Sequence, residues 1–292
     1  MSEIIQSKPS GSRSGEGAGL VKDRLKPMQP GTSPGRRIHF PALFCAIGIL
    51  AGCSGTRTKE PTPESKKEPV PSYFKVDPAT AGVLKGAVHF TGRKPARNKI
   101  DMSGEPACVA AHHGNAYDES VVVNPNGTLA NVFVYIKSGL EGKRFEVPAA
   151  AAVIDQRGCW FHPRVLGIQT GQTLQVTNSD PVTHNIHPLA QINREWNHSQ
   201  GQGDAPLARK FLKPEVMIRV KCNIHRWMHA FIGAVDNPYF AVTGPDGTFE
   251  IRNVPPGDYL IEVWTETLGT QERKITVNPA GEVETTFTFK GE

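Results

Sequence analysis

The sequence has little net charge. Its 292 residues include 33 Lys and Arg against 28 Asp and Glu, a formal net charge of +5, and the basic residues are scattered among the acidic ones. Domains that bind nucleic acid usually carry a basic patch or stripe on one face. The charge pattern therefore predicts no nucleic-acid partner.

Catalytic arrangements are also missing from the sequence. No pair of carboxylates and no nucleophile beside a base stands out, although general acid–base catalysis and covalent catalysis both need such groups. We therefore expect a protein that is not an enzyme.

Long apolar runs and helical periodicity are equally scarce. The apolar run from Phe40 to Gly52 falls short of the roughly 20 residues that a membrane-spanning helix needs. Beyond it, no segment predicts a helix of useful length. Gly and Pro, at 29 and 24 residues, favour short strands joined by turns. The predicted fold class is all-β.

The apolar run follows Arg36 and Arg37, as the central part of an export signal does. It ends in Leu50-Ala51-Gly52-Cys53, which resembles the cleavage motif of bacterial lipoproteins. The resemblance implies a signal peptide over residues 1–52, lipid on Cys53 and stable membrane anchoring by two or more acyl chains. We expect the cell envelope, with the periplasmic face of the outer membrane favoured over the inner membrane. The alternative is an uncleaved anchor or a buried helix.

Four segments follow this leader. Residues 53–80 are rich in Pro and mixed charges and predict an extended tether. Residues 81–148 predict an N-terminal β extension that contains a long polar loop over 93–120. Residues 149–236 predict the strands that hold a metal site, and residues 237–292 predict a small β-sandwich.

The metal site is predicted from the run Cys222 to Met228. This run offers a thiolate, the His225 imidazole and a thioether within seven residues, and His184 follows a strand-like run about forty residues upstream. Two imidazoles, a thiolate and a weak axial thioether are the ligand set of an electron-transfer copper site. The sequence therefore predicts one copper ion per chain, bound by His184, Cys222, His225 and Met228.

The block from 149 to 236 resembles the cupredoxins, and in particular the amicyanin- and plastocyanin-like members. The residues that carry the resemblance are Gly171-Gln172-Thr173, Asn178-Ser179-Asp180, His184-Asn185-Ile186 and Cys222-x-x-His225-x-x-Met228. The resemblance implies a Greek-key sandwich and an electron-transfer role. It further implies that His225 exposes one ring edge through an apolar patch.

Two residues are expected to support the ligands. Asn185 can bridge the ligand loops by hydrogen bonding, and Trp227 is a candidate either for the apolar patch or for core packing. Lys221 and Arg226 depart from the family pattern, in which an aromatic residue and a proline are common at these places. A dinuclear copper centre needs a second cysteine on this loop, and multicopper oxidase sites need His-x-His motifs; the sequence has neither.

Residues 238–290 resemble the carboxypeptidase regulatory-like module, a transthyretin-type sandwich. The motifs are Val242-Thr243-x-x-Asp246-Gly247-x-Phe249 and Val254-Pro255-Pro256-Gly257-x-Tyr259. Such a module predicts a fold and says little about function.

The remaining cysteines are Cys108 and Cys159. An oxidising envelope compartment permits them to form a disulfide. The alternative is that one of them binds metal, since Cys159 and His162 have a Cys-x-x-His spacing.

Three functions are consistent with these features. The first is a lipid-anchored electron carrier that exchanges electrons with redox proteins of the cell envelope. The second is a copper-handling or storage lipoprotein in which His187, His229 and the pair His112-His113 widen the site. The third is a carbohydrate- or surface-binding β-sandwich, although no residue pattern supports a glycan ligand.

Overall fold

The computed structural model describes residues 72–112 and 114–291. The predicted signal peptide, the predicted lipidation site Cys53, most of the tether and His113 lie outside the described residues. No helix within the described ranges has the length and apolar character needed to cross a membrane.

The described part is nearly all β, which confirms the predicted fold class. Its first half contains strands β1 (Gly82–Thr91), β2 (Val122–Val123), β3 (Leu129–Ala130), β4 (Phe133–Ser138), β5 (Ala152–Arg157), β6 (Trp160–His162), β7 (Val165–Gln169), β8 (Leu174–Asn178) and β9 (His184–Pro188). Its second half contains β10 (His198–Gln200), β11 (Leu207–Arg209), β12 (Glu215–Lys221), β13 (His229–Val235), β14 (Phe240–Val242), β15 (Thr248–Val254), β16 (Gly257–Thr265), β17 (Gly269–Val277) and β18 (Glu282–Lys290). One helix, α1, spans Pro106–His112.

Two sheets surround the predicted metal ligands. One has the order β10-β9-β12-β13-β7 and the other has the order β11-β8-β5-β6. Strand β12 alternates between the core, where Ile218 and Val220 are buried, and the solvent, where Arg219 is exposed. This period of two is what a half-buried strand requires. The core between these sheets includes Cys222 and Met228.

The other two large sheets combine strands from both ends of the described chain. Strand β1 pairs with β15 in antiparallel and with β18 in parallel orientation, and β4 lies between β14 and β16. The segments 81–148 and 237–292 therefore share their sheets, which corrects their separation into an extension and a C-terminal module. Alternation along a strand predicts the strand but does not identify its partner.

A pair of glycines lies where the sheet of β7 and β13 packs against the sheet of β4 and β14. Gly167 of β7 and Gly233 of β13 lie opposite each other in the register. A Cβ atom at Gly233 would lie 2.6 Å from the Phe133 ring, and one at Gly167 would lie 2.3 Å from Phe240. The absence of side chains at these two positions lets the rings of Phe133 on β4 and Phe240 on β14 approach the sheet backbone.

The loop predicted over 93–120 contains helix α1, which the sequence did not reveal. The helix has seven residues and only Cys108 is buried, so its sequence carries no helical periodicity that could be read. Isolated helices of this length are unstable in water. Tertiary contacts of Cys108 therefore stabilise it. After the helix, β2 and β3 pair as an antiparallel hairpin.

Candidate metal centre

Strand pairing brings the two ligand loops together. Strand β8 ends at Asn178 and β9 begins at His184, while β12 ends at Lys221 and β13 begins at His229. Because β12 pairs with β9, with Lys221 opposite His187, the loop over 222–228 lies beside the start of β9. The two loops therefore meet at one end of the sheet.

The side chains of His184, Cys222 and His225 converge at this end. Their ligand atoms all lie within 4.8 Å of one another. The Nδ1 atoms of the two imidazoles are 2.9 Å apart, and Cys222 Sγ lies 3.9 Å from His225 Nδ1. The three residues are 0 to 2 % exposed. Two nitrogens and one sulfur therefore point to a common, water-excluded position.

Main-chain hydrogen bonds fold the loop back on itself. Cys222 N donates to the Met228 carbonyl at 3.1 Å, and Met228 N donates to the His225 carbonyl at 2.9 Å. His225 N donates to Cys222 Sγ at 3.4 Å. Met228 is fully buried in the same core as Cys222. The backbone thus holds the three predicted ligands of this loop in one tight turn.

Asn185 connects the two loops, as the sequence predicted for a supporting residue. Its main-chain N–H donates to Cys222 Sγ at 3.5 Å, and its side-chain oxygen accepts from Asn223 N at 2.6 Å. The same side-chain oxygen lies 3.3 Å from the sulfur. These contacts fix the direction in which the thiol points.

Asp180 orients His184, and sequence reasoning missed this role. Its Oδ2 atom lies 2.8 Å from His184 Nε2. The carboxylate also accepts hydrogen bonds from Gly158 N at 2.6 Å and from Cys159 N at 2.8 Å. A carboxylate that holds the far nitrogen of a ligating imidazole fixes its tautomer and raises its basicity. The available signal was the spacing of four residues between Asp180 and His184.

The electrostatics of the site favour an ionised sulfur. Burial alone would raise the pKa of Cys222, but His184 and the N–H groups of Asn185 and His225 lower it overall. Burial opposes protonation of His184, yet hydrogen bonding with Asp180 and Cys222 raises its pKa. Burial and the neighbouring His184 lower the pKa of His225. The thiolate is the form of cysteine that binds metal.

A disulfide lies beside the site. Cys108 and Cys159 are joined with a Cα–Cα distance of 5.5 Å, so neither thiol is free to bind metal. The indole N–H of Trp227 donates to the Cys159 carbonyl at 3.1 Å, and the Trp227 ring lies 5.2 Å from the His225 ring. Trp227 is half-buried and packs against the core that contains Cys108 and Cys159.

His225 does not expose an edge to solvent. The ring is 2 % exposed, against the exposed edge that the family resemblance implied. Met102, Cys108 and Ala116 belong to the same buried core as Cys222 and Met228. The segment that carries α1 therefore contributes to the same core as the ligand loop, and this contribution was not apparent in the sequence.

The additional histidines have partners of their own. His187 Nε2 lies 2.5 Å from Glu195 Oε1, and its Nδ1 lies 3.3 Å from Asn223 Oδ1. His229 lies 2.7 Å from Arg164 Nη2 and 3.0 Å from Glu266 Oε1. His112 contacts the Gly158 carbonyl at 3.1 Å. None of these described histidines joins the group formed by His184, Cys222 and His225.

The donor set fits copper. A thiolate with two imidazoles is a soft and borderline combination that suits Cu in a trigonal arrangement, with a thioether as the weak axial ligand. The Cys222 sulfur is buried and hydrogen-bonded, and both features tune the reduction potential of such a copper site.

No family model matches the chain, and no curated protein matches it. Among solved structures, a copper-containing nitrite reductase from Thermus scotoductus SA-01 is 21% identical over 34% of this chain, with a TM-score of 0.29. The match covers 25% of the nitrite reductase, so the chain spans about a quarter of that protein. A Cu(I) amicyanin mutant is 19% identical over 30% of this chain and 86% of amicyanin, with a TM-score of 0.26. An oxidized amicyanin mutant is 18% identical over 35% of this chain and 97% of amicyanin, with a TM-score of 0.27.

Proposed function

We propose that this chain is a cupredoxin-like protein that binds one copper ion and carries single electrons, without a catalytic role of its own. The observation that carries the proposal is the convergence of His184, Cys222 and His225 within 4.8 Å in a buried position. Copper bound there supplies a one-electron couple between Cu(I) and Cu(II). Met228, fully buried on the same loop, is proposed as the weak axial ligand.

The surroundings of the ligands suit electron transfer. Asp180 and the main-chain groups of Gly158 and Cys159 hold His184, while Asn185 holds the Cys222 sulfur. Ligands fixed by such contacts move little when the metal charge changes. A small rearrangement lowers the barrier to electron exchange, so rigid support favours a carrier.

Copper storage is less well supported. A storage site gains from additional open ligands, but His187 and His229 are each hydrogen-bonded to an acidic side chain, Glu195 and Glu266. The ligand group is also buried rather than open to exchange.

We further propose that the protein works in the bacterial cell envelope and is lipid-anchored at Cys53, with redox proteins of that compartment as partners. The support is the lipoprotein-like motif at residues 50–53. The disulfide between Cys108 and Cys159 agrees with an oxidising compartment. Labelling with a radioactive fatty acid tests the anchor: the label should enter the full chain and be absent from Cys53→Ala.

The electron-transfer proposal is tested with the copper-loaded protein by visible absorption and protein-film voltammetry. One copper per chain, an intense thiolate-to-copper band and a reversible one-electron wave are expected. Cys222→Ser should abolish the band and the wave. His198→Gln, which changes a histidine of β10 outside the ligand group, should leave both in place. A band that survives in Cys222→Ser, or copper binding without a reversible wave, would refute the proposal.

A further inference from the structure

An open groove of about 750 Å³ is lined in part by Asn197, whose side chain is hydrogen-bonded to Asn185, the neighbour of His184. Its walls are two segments, 192–197 and 209–213, and Trp196 lies in the first of them. We refer to it as the Trp196 groove. Metal binding by His184, Cys222 and His225 does not require such a groove.

The Trp196 groove is strongly basic. Four of its lining residues are cations, Arg194, Arg209, Lys210 and Lys213, and all four are exposed. Within the described ranges none of them forms an ion pair. Glu195 is the one acidic lining residue, and His187 already lies against its carboxylate. The groove therefore presents uncompensated positive charge to a partner.

The groove also has the apolar groups that interfaces use. Ile192 is 57% exposed and Leu212 is 74% exposed, and both line it. The Arg209 guanidinium lies over the Trp196 ring at 5.6 Å. Aromatic and Arg side chains are enriched among residues that dominate protein–protein binding.

Asn193 and Glu215 hold the two walls in place. Asn193 Oδ1 accepts from Leu212 N at 2.8 Å and from Lys213 N at 3.0 Å, and Asn193 Nδ2 donates to the Lys213 carbonyl at 2.9 Å. The Glu215 carboxylate accepts from the main-chain N–H groups of Gln191 and Asn193. The shape of the groove is thus set before any partner binds, which lowers the entropic cost of binding.

A short hydrogen-bonded path joins the groove to the ligand sulfur. Asn197, which lines the groove, accepts a hydrogen bond from Asn185 Nδ2 at 2.5 Å. The Asn185 main-chain N–H donates to Cys222 Sγ at 3.5 Å. A partner cannot exchange electrons directly with the His225 ring edge, because that ring is only 2 % exposed.

We infer, on the basis of the proposed electron-transfer function, that the Trp196 groove is the docking surface for a redox protein with an acidic face. One electron passes between the metal centre and the partner through Asn197, Asn185 and Cys222. The centre is oxidised by one electron as the partner's oxidised cofactor is reduced by one, and no bond is made or broken.

Electron exchange with charged reagents tests the site of exchange. The copper-loaded, reduced protein is oxidised by anionic hexacyanoferrate(III) or by cationic tris(phenanthroline)cobalt(III). The triple variant R209E/K210E/K213E should react with the anion about tenfold more slowly at low salt, and the difference should vanish at high salt. Its reaction with the cation should not slow. The control R273E/K274E/K290E makes the same charge change on β17 and β18 and should alter the anion rate less than twofold.

A second measurement needs no copper. Hexaglutamate is titrated into the metal-free protein while the indole N–H signals of Trp196 and Trp264 are followed by NMR. The Trp196 signal should shift, the Trp264 signal should not, and R209E/K210E/K213E should lose the shift. Equal slowing by both triple variants, or no shift at Trp196, overturns the docking proposal. A sulfated glycan that shifts Trp196 when hexaglutamate does not would also overturn it, in favour of a carbohydrate ligand.

The two proposals fail separately. Absence of the thiolate band and of a reversible wave would end the electron-transfer proposal, whatever hexaglutamate does. A normal band and wave, with exchange rates that do not depend on the groove charges, would end the docking proposal alone.

Discussion

The indole N–H of Trp227 donates a hydrogen bond to the carbonyl of Cys159, with an N···O distance of 3.1 Å. The N–H of the same Cys159 donates to Asp180, which in turn holds His184. One residue of the disulfide therefore supports the metal centre from two sides. Hydrogen bonds thus connect the disulfide to the predicted metal ligands, so a change in either should affect the other.

Asp180→Asn should weaken copper binding about 10- to 100-fold, the usual effect of losing a partner behind a metal ligand. The reduction potential should rise, because a less basic His184 stabilises Cu(II) less. Competition with a copper chelator measures the affinity, and voltammetry measures the potential. Asp246→Asn serves as the control, since Asp246 also accepts a main-chain hydrogen bond, from Thr248. Unchanged affinity in a folded Asp180→Asn protein would contradict the assigned role.

Loss of the disulfide should reduce both stability and metal affinity. Cys108 and Cys159 are 51 residues apart in the sequence, and removing such a crosslink costs roughly 2–4 kcal/mol of unfolding free energy. The double variant C108A/C159A should therefore unfold at lower denaturant concentration and bind copper more weakly. Reductant should shift the wild type in the same direction and leave the variant unchanged. Equal unfolding midpoints with and without the crosslink would disprove this prediction.

Gly233→Ala tests the contact between β13 and the Phe133 ring of β4, which belong to different sheets. A Cβ atom there would lie 2.6 Å from two atoms of the Phe133 ring, and Phe133 is fully buried. Overpacking of this kind costs about 1–3 kcal/mol, measured as the change in unfolding free energy. Gly104→Ala is the control, because a Cβ at Gly104 meets no atom within 4 Å. The smaller side chain of Phe133→Leu should recover part of the loss in the double variant.

Glu215 should make stability depend on pH. Burial opposes its ionisation, but hydrogen bonds from the N–H groups of Gln191 and Asn193 lower its pKa below the ordinary value of 4.5. A lowered pKa in the folded state means that the stabilisation is complete above about pH 4.5 and is lost as pH falls through the folded pKa.

Glu215→Gln should therefore lose roughly 1–3 kcal/mol of unfolding free energy at neutral pH. Its difference from wild type should shrink below pH 4.5, the ordinary glutamate value. Urea unfolding across the pH range measures this. Glu284→Gln, which changes an exposed residue of β18, should show no such profile. A difference that stays constant with pH would contradict the assigned ionisation.

The candidate metal-binding residues could be proposed from the sequence because three of them share one short loop. A turn between two strands is enough to bring Cys222, His225 and Met228 close together, and their spacing fits such a turn. His184 needed one further assumption, that its loop lies at the same end of the sheet, and the pairing of β9 with β12 satisfies it.

The supporting residues could not be predicted in the same way. Asp180 acts on His184 because the N–H groups of Gly158 and Cys159 hold its carboxylate, and these come from the distant turn between β5 and β6. Every residue except proline has a main-chain N–H, so residue types do not reveal which of these groups donates to a side chain. The contribution of Cys108 to the core around Cys222 was also not predicted, because helix α1 is too short to show periodicity.

The pairing partners of the strands could not be predicted from the sequence either. Strand β1 alternates as any half-buried strand does, and its pairing with β15 and β18 spans most of the chain. The alternation predicts which side chains of β1 face the core, but it does not identify the strands that pair with β1.

The most direct test of the central claim is the X-ray absorption spectrum of the copper-loaded protein at the copper edge. The account predicts one short copper–sulfur distance and two copper–nitrogen distances, with the sulfur contribution lost in Cys222→Ser and one nitrogen contribution lost in His184→Ala. A spectrum with only oxygen and nitrogen neighbours, unchanged in both variants, would contradict it.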